Sequence, residues 1–109
     1  MPDNSIHNTI SQLIAQCHGF DWDEGNIGKN WLKHRVTDKE SEEIFKNVPL
    51  MLSRDIRHSE EESRYIALGK TGRNRLLSVV FTIRGKKIRN ISARAMSRKD
   101  RKDYEKAEA

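Results

Sequence analysis

Cysteine, proline and long apolar runs are scarce in this 109-residue chain, and each absence removes a class of protein. The single cysteine, Cys17, cannot form an internal disulfide, which excludes a disulfide-stapled secreted scaffold. No apolar run is long enough to cross a bilayer and no leader-like segment is visible, so we expect a cytoplasmic protein without a membrane span. Cysteine and histidine do not cluster at metal-ligand spacing, and there is no glycine-rich phosphate loop. We therefore expect neither a metal nor an organic cofactor.

Charge is abundant instead, and it is unevenly distributed. The formal net charge is +5 at pH 7. Residues 64–109 carry fourteen basic and four acidic groups, whereas residues 1–63 carry seven basic and twelve acidic groups. Such a concentration of positive charge repels itself unless a polyanion or an acidic partner relieves it. The alternative is a solvated charged surface without a partner.

Apolar spacing predicts three helices in the first half of the chain. We expect them at Ser5–His18, at Asn26–Arg35 and from Thr37 to about Asn47. Thr37 and Glu40 form a capping-box pattern at the start of the third. Between the first two, Phe20–Asp23 alternates apolar and acidic residues and predicts a brief strand.

The large apolar residues of this half are expected in the core. Ile27, Trp31 and His34 fall on one face of the second helix at spacing i, i+4 and i+7, which predicts a buried face. Both Trp22 and Trp31 lie in the apolar pattern, so we expect them in the core and not as platforms for nucleic-acid bases. Cys17 lies in an apolar stripe and is expected to be a core residue, not a nucleophile.

The second half of the chain has the period of an antiparallel sheet. Leu50–Arg54 predicts an edge strand, and three longer strand-like runs follow: RYIALGK, NRLLSVVFTIR and KKIRNISARA. Their separators TGR and GK are typical of hairpins. Ser97 predicts the cap of a last helix that runs to about Glu105. The fold class is therefore α+β, an antiparallel sheet of four to five strands packed against two or three helices, with an extra N-terminal helix and one sheet face available.

Strand alternation predicts where the charges of the sheet point. In the last strand it places Ile88, Asn90, Ser92 and Arg94 on one face and Arg89, Ile91, Ala93 and Ala95 on the other. In the RYIALGK strand it places Arg64, Ile66, Leu68 and Lys70 together. Arg64 and Arg94 then lie at strand ends, where charges can gather around the mouth of a groove.

Four ordered motifs resemble a known family. They are the opening WD...K.N..KH.V, the HS..E.R that follows, the strand pattern R.L.V..T.RG..IR.ISAR, and R..R..YE near the end. Together they cover about Phe20 to Glu105 and resemble the BrnT toxin family. The helix at residues 5–18 precedes the usual start of that family, and Asn90 stands where the family usually has an apolar residue.

The resemblance implies a RelE-like fold and the toxin role in a type II toxin–antitoxin pair. It implies that residues 1–19 are an N-terminal helical extension and that residues 20–109 are the toxin domain. Family members cleave RNA and arrest growth. The implied partner is a BrnA-like antitoxin with a ribbon-helix-helix DNA-binding domain, which wraps the toxin, binds operator DNA for the pair and holds a toxin dimer in a heterotetramer.

A ribonuclease without a metal remains chemically reasonable for these residues, because RNA supplies its own nucleophile, the 2′-hydroxyl. The protein then needs a base for that hydroxyl, cations for the crowded phosphorane and a proton for the leaving oxygen. His34 is a candidate for proton transfer, since an imidazole titrates near neutrality. A hydrogen-bonded structural role for His34 is the alternative. Lys33 points about 100° away and is the more exposed candidate of the two.

Arginine suits the phosphate because its planar donors bind two oxygens at once. Arg64 and Arg94 are the preferred pair, which completes a predicted catalytic set with Lys33 and His34. The predicted RNA-binding residues are Lys29, Arg75, Arg84 and Arg98. For each arginine the alternative is a surface ion pair with Glu60–Glu62 or Asp100.

Three functions from different classes stay open on these residues alone. A ribonuclease toxin would cleave RNA and arrest growth. A non-catalytic nucleic-acid-binding module would bind RNA in a salt-dependent way and leave it intact. A protein whose basic half receives an acidic partner would bind RNA weakly and that partner tightly.

Overall fold

The computed structural model describes residues 5–58 and 62–108, and these form an α+β fold, as the sequence predicts. The helices are α1 (Ser5–Ala15), α2 (Lys29–His34), α3 (Asp38–Glu43) and α4 (Arg98–Glu108). The strands are β1 (Met51–Arg54), β2 (Tyr65–Lys70), β3 (Leu76–Arg84) and β4 (Lys87–Ala95). They form one antiparallel sheet in the order β1-β2-β3-β4. Short 3₁₀ turns follow α3 (Ile44–Lys46) and β1 (Ile56–His58).

Local sequence signals account for most of these boundaries. Thr37 and Glu40 form the predicted capping box at the start of α3. Ser97 caps α4, as predicted, by accepting a hydrogen bond from the backbone N–H of Asp100 at 3.1 Å. Gly85 and Lys86 join β3 to β4 with positive φ angles of 55° and 61°. A two-residue hairpin turn with positive φ at both positions matches the twist of the strands it joins.

Four predicted elements differ from the structure. The helix predicted at Ser5–His18 ends at Ala15, and the one predicted at Asn26–Arg35 begins only at Lys29, after a left-handed Gly28 with φ 71°. Phe20–Asp23 is not a strand, since only Phe20 forms a bridge, parallel to Ile88. The last helix runs beyond Glu105 to Glu108.

The first face of the sheet carries the main core. Ile10 of α1 and Ile44 pack against it, and Phe45 makes edge contacts with Phe20 and Phe81 at centroid distances of 5.7 and 5.1 Å. The buried sheet residues of this core are Leu52, Tyr65, Ala67, Leu77, Val79, Phe81, Ile88 and Ala93. Because Ile10 lies in this cluster, the segment before residue 20 shares the core of the rest of the chain.

The second face of the sheet is partly covered by α4, so it is less open than predicted. Tyr104 is buried there with Leu68 and Met96, and its hydroxyl donates to the Pro49 carbonyl at 2.6 Å. Burial raises the pKa of Tyr104. Beyond α4, half-buried residues lie in register across three strands: Ile66, Val80 and Ser92.

A β-bulge in β4 overturns the predicted faces of that strand. Val80 pairs with Ser92 but Phe81 pairs with Asn90, so Ile91 is an extra residue in β4. Alternation therefore changes phase there. Ala93 joins Ile88 and Asn90 on the first face, and Arg94 lies on the second face opposite Ser78.

The predicted burial of the α2 face is also wrong. Ile27 is 58% exposed, Trp31 is 46% exposed and His34 is exposed as well. Trp22 is half-buried, and its indole N–H donates to Glu42 at 2.6 Å. Cys17 packs against the core, as predicted, and burial raises the pKa of its thiol.

No helix within residues 5–58 and 62–108 combines the length and apolar character that a membrane crossing needs.

Candidate active site

The outer edge of β4 is covered by the chain that leads into α2. Three backbone hydrogen bonds begin this cover: His18 N–H donates to Lys86 O, Ile88 N–H donates to Gly19 O, and Asp21 N–H donates to Ile88 O, at 2.8 to 3.0 Å. An uncovered edge strand exposes a row of unpaired backbone groups. The segment therefore protects the sheet edge and carries the chain along it toward α2.

After Asp21, two asparagine side chains take the place of backbone groups in hydrogen bonds to the edge of β4. Asn26 Nδ2 donates to the carbonyl of Asn90 at 3.0 Å, and Asn30 Oδ1 accepts from the N–H of Ala93 at 3.0 Å. Both asparagines are 5% exposed. A buried backbone group without a partner is costly, so each amide replaces a missing strand. Asn30 thereby fixes α2 against β4, just before Arg94.

The last turn of α2 presents Lys33 and His34, both exposed, on this edge. The end of the helix is tied to the start of β3 by Arg75. Arg75 Nη1 donates to the carbonyl of Arg35 at 2.8 Å and lies 3.1 Å from a carboxylate oxygen of Glu40. Burial acts to raise the pKa of Glu40, but hydrogen bonds from Thr37 and Arg75 outweigh it and the pKa is lowered. Arg75 is thus engaged in holding α2, and its acidic partner is Glu40, not Glu60–Glu62 or Asp100 as the sequence alternative had it.

Arg94 lies near the end of β4, on the second face of the sheet. Its Nη1 donates to the carbonyl of Ala95 at 3.0 Å and contacts the Asp100 carboxylate at 3.3 Å. Burial acts to raise the pKa of Asp100, but hydrogen bonds from Ser97 and the charge of Arg94 outweigh it, so the pKa is lowered. The Arg94 guanidinium is 44% exposed and keeps donors available.

Arg64 and Arg84 lie toward the opposite end of the sheet, where Gly85 and Lys86 join β3 to β4. We call this the hairpin end. By alternation from Tyr65, Arg64 lies on the same face as Arg94. The strand register separates their Cα positions by roughly 16 Å, from the ordinary strand spacing and rise. Arg84 donates two hydrogen bonds to Glu62, at 2.8 and 3.1 Å, and these lower the pKa of Glu62.

The predicted site residues therefore fall into two groups. The first group is Lys29, Lys33 and His34 on α2, which Asn30 attaches to β4 at Ala93, with Arg94 next to it in β4, Arg98 at the start of α4, and Arg75, which holds the end of α2. Those at the hairpin end are Arg64 and Arg84. Of the acidic partners that the sequence offered, Glu62 pairs with Arg84 and Asp100 with Arg94, while Glu60 and Glu61 lie outside the described residues.

Some of the positive charge at the α2 corner has no acidic partner within the described part of the chain. Within residues 5–58 and 62–108, no carboxylate lies in ion-pair contact with Lys29, Lys33 or His34. The same described residues contain no group of three or more His, Cys, Asp and Glu side chains that could hold a metal ion. Such a corner is suited to contact an anion.

Sequence reasoning missed the residues that position this corner. Asn26 and Asn30 were not singled out, and Asn90 was noted only as a departure from an apolar pattern. The sequence signal that could have identified such a residue is an asparagine inside a short helix, because asparagine has a poor helix propensity. Asn90 is 1% exposed, and its Nδ2 donates to Ser41 Oγ at 2.8 Å. No partner for its Oδ1 is found among the described residues.

The fold and this corner define a small α+β protein with a cationic surface fit for a polyanion. The model of one family matches residues 22–100, and its description is "Ribonuclease toxin, BrnT, of type II toxin-antitoxin system". The chain belongs to this family, which confirms the resemblance seen in its sequence. It is therefore a ribonuclease toxin of a type II toxin–antitoxin system, which implies RNA as its target and an antitoxin as its partner. No curated protein matches the chain.

Proposed function

We propose that the protein is a metal-independent endoribonuclease that cleaves RNA in the cytoplasm through attack of the 2′-hydroxyl, and so inhibits translation and growth. In this reaction the 2′-oxygen forms a bond to phosphorus and loses its proton, and the bond from phosphorus to the 5′-oxygen breaks as that oxygen gains a proton. The products are a 2′,3′-cyclic phosphate and a 5′-hydroxyl. No water or oxidant is consumed, so proton-transfer groups and cations are sufficient.

Four side chains divide this work. Arg94 and Arg64 bind the phosphate from opposite sides and stabilise the charge of the phosphorane. Lys33 and His34 carry the two proton transfers, one taking the proton of the 2′-hydroxyl and the other supplying the proton to the 5′-oxygen. Lys29 and Arg98, both exposed, bind neighbouring phosphates. Arg75 and Arg84, each held by a glutamate, add to the positive potential that the RNA strand meets.

The observation that carries the proposal is the hydrogen bond from Ala93 N–H to Asn30 Oδ1. It attaches α2, which carries the proposed proton-transfer groups, to β4 one residue before Arg94, the proposed phosphate-binding group. Electrostatic catalysis depends on such preorganised positions. A loosely attached α2 would leave Lys33 and His34 without a fixed relation to the phosphate.

The antitoxin is proposed to carry a ribbon-helix-helix DNA-binding domain and to cover this RNA surface. Covering it explains how binding would stop cleavage without any change in the toxin's fold. In this proposal two toxins assemble with two antitoxins, and operator DNA is contacted through the antitoxin. Residues 20–109 form the toxin domain, and residues 1–19 are an extension.

The test is a digest of RNA by the purified protein with and without EDTA. We expect equal cleavage in both, new 2′,3′-cyclic phosphate ends, and loss of cleavage in the Arg64→Ala, Arg94→Ala double variant. Loss of cleavage on chelation would contradict the metal-independent mechanism. Intact RNA with salt-dependent binding would instead identify a non-catalytic RNA-binding module.

A further inference from the structure

Trp31 is unusually exposed for the largest apolar side-chain type. It is 46% exposed on α2, although its helix packs along β4. The reason is that α2 is attached to the sheet through the Asn30 amide and not through an apolar face. Trp22 differs, because it is half-buried and hydrogen-bonded to Glu42. The indole of Trp31 is therefore presented to solvent by the way the helix is docked.

The surroundings of this indole are cationic. The Arg35 guanidinium carbon lies 5.3 Å from the centre of the Trp31 ring. His34 follows Trp31 by three residues and so lies on the same face of the helix. The helix contains no carboxylate. An aromatic surface among cations is the arrangement by which proteins hold single-stranded nucleic acid.

A protein helix is a poorer fit to the same surface. Leu32 is 77% exposed but lies about 100° around the helix from Trp31. A docking surface for an amphipathic helix needs an apolar stripe at i, i+3, i+4 and i+7. Since α2 has six residues and Lys33 and His34 interrupt its surface, no such stripe exists along it. One planar ring with cations around it suits a nucleobase better.

We propose that Trp31 is a stacking platform for one unpaired base of the RNA substrate. This inference rests on the proposed ribonuclease function. A base held on the indole fixes the position of its own nucleotide. The phosphate next to that base then lies beside Lys33 and His34, which follow Trp31 within one helical turn. Trp31 thus selects single-stranded RNA and positions the phosphate that is cleaved.

The test uses a short fluorescein-labelled RNA of random sequence with 2′-O-methyl groups, which can bind but cannot supply the nucleophile. We expect Trp31→Ala to weaken its binding about 10- to 100-fold, since stacking on an aromatic side chain contributes that much per base. Trp31→Phe keeps an aromatic ring and should recover most of the affinity. Leu32→Ala, a truncation of a more exposed apolar residue on the same helix, should stay within about 2-fold of the wild type.

Two further readouts separate stacking from charge. In a Trp22→Phe variant Trp31 is the only tryptophan, and its fluorescence should be quenched when this RNA is added. The slope of log Kd against log salt should not change in Trp31→Ala, whereas Lys33→Ala should reduce its magnitude by about 0.7.

Equal binding by Trp31→Ala and Leu32→Ala, absence of quenching, or no binding of this RNA by the wild type would overturn the inference. Weaker binding of the antitoxin by Trp31→Ala with unchanged RNA binding would overturn it in favour of a protein surface. If the methylated RNA binds through Trp31 while ordinary RNA stays intact, the proposed catalysis fails and the stacking role stands.

Discussion

The two ends of the sheet differ in how their positive charge is balanced. At the hairpin end Arg84 is held by Glu62, and Arg89 donates to both carboxylate oxygens of Asp23 at 2.9 and 3.0 Å. The hydrogen bond from Arg89 holds the pKa of Asp23 below its ordinary value. At the α2 corner Lys33 and His34 have no carboxylate in ion-pair contact among the described residues.

This difference teaches that the density of basic residues along a sequence is a poor guide to where an anion binds. The run from Lys86 to Lys102 spans both ends of β4. Acidic residues from elsewhere in the chain, Asp21, Asp23 and Glu62, neutralise one end of it. An anion is attracted to the net local charge, so Lys29 and Lys33, which are unpaired among the described residues, make the α2 corner the better site, although Arg75 and Arg94 at that end are also held by carboxylates.

The largest expected effect tests this comparison with one arginine from each end. Arg94→Ala should lower the initial rate of RNA cleavage by about 100- to 1,000-fold, because in the proposed mechanism it removes a cation that stabilises the transition state. Arg84→Ala should change that rate by less than about 3-fold, as for a surface change away from the chemistry. The measurement is the cleavage rate of a labelled RNA, with circular dichroism to show that both variants fold. Equal losses in the two variants would mean that the balance of charge does not locate the site.

A smaller effect is expected from releasing α2. Asn30→Ala leaves the buried N–H of Ala93 without its partner, so the free energy of unfolding should fall by about 1 to 3 kcal/mol. The rate of RNA cleavage at saturating substrate should fall further than the lost folded fraction explains, because α2, which carries the proposed proton-transfer groups, loses this attachment to β4. Chemical denaturation and single-turnover cleavage measure the two effects.

Asn26→Ala is the matched control, because Asn26 is equally buried and caps the same strand edge. It should destabilise the protein to a similar degree, yet folded Asn26→Ala should cleave RNA much faster than folded Asn30→Ala. If both variants lose cleavage in step with stability, the asparagine at position 30 has only a structural role.

Local chemistry explains which parts of the fold were predictable. Helix caps and hairpin turns depend on contacts within a few residues, so the local sequence predicts them. Examples are the capping residues Thr37 and Ser97 and the turn at Gly85–Lys86. Apolar alternation identified the strands of the meander for the same reason. The sheet order was not predicted, although it follows chain order, as is usual for successive strands joined by short turns.

The parts that were missed depend on contacts between distant segments. Ile91 became a bulge because of how β4 pairs with β3, and that single residue moved Arg94 to the other face. Trp31 was predicted in the core because its spacing is helical, but α2 is attached through a polar contact of Asn30. Hydrophobic periodicity carries no information about a helix that docks by hydrogen bonding. The candidate site was thus predicted by residue type, and its arrangement was not.

A third prediction concerns the carboxylate at the α2 end, Asp100. Because its folded-state pKa is lowered, its ionised form stabilises the protein fully above the pKa of an unfolded aspartate, and this contribution is lost as pH falls through the lower folded-state value. Asp100→Asn should therefore be less stable than the wild type at neutral pH, by about 1 kcal/mol. The difference should shrink below about pH 4. Thermal unfolding across that range measures it, and Asp103→Asn on the same helix is the control. A constant difference at all pH values would contradict the assigned role of the charge.

The smallest effect is expected at the hairpin end, where removing the negative charge of Glu62 should leave Arg84 without its ion-pair partner. Glu62→Gln removes the negative charge and one of the two acceptor oxygens that hold Arg84, while keeping the size of the side chain. RNA affinity should rise by about 2- to 3-fold, since one more cation faces the RNA strand. The slope of log Kd against log salt should become steeper by at most about 0.7. The melting temperature should hardly change, because exposed ion pairs contribute little. Titration of the methylated RNA at several salt concentrations measures the gain. A fold gain in RNA affinity as large as the fold loss of cleavage rate in Arg94→Ala would show that the hairpin end without the Glu62 charge is an equally strong RNA site. The two ends would then differ only in their acidic partners.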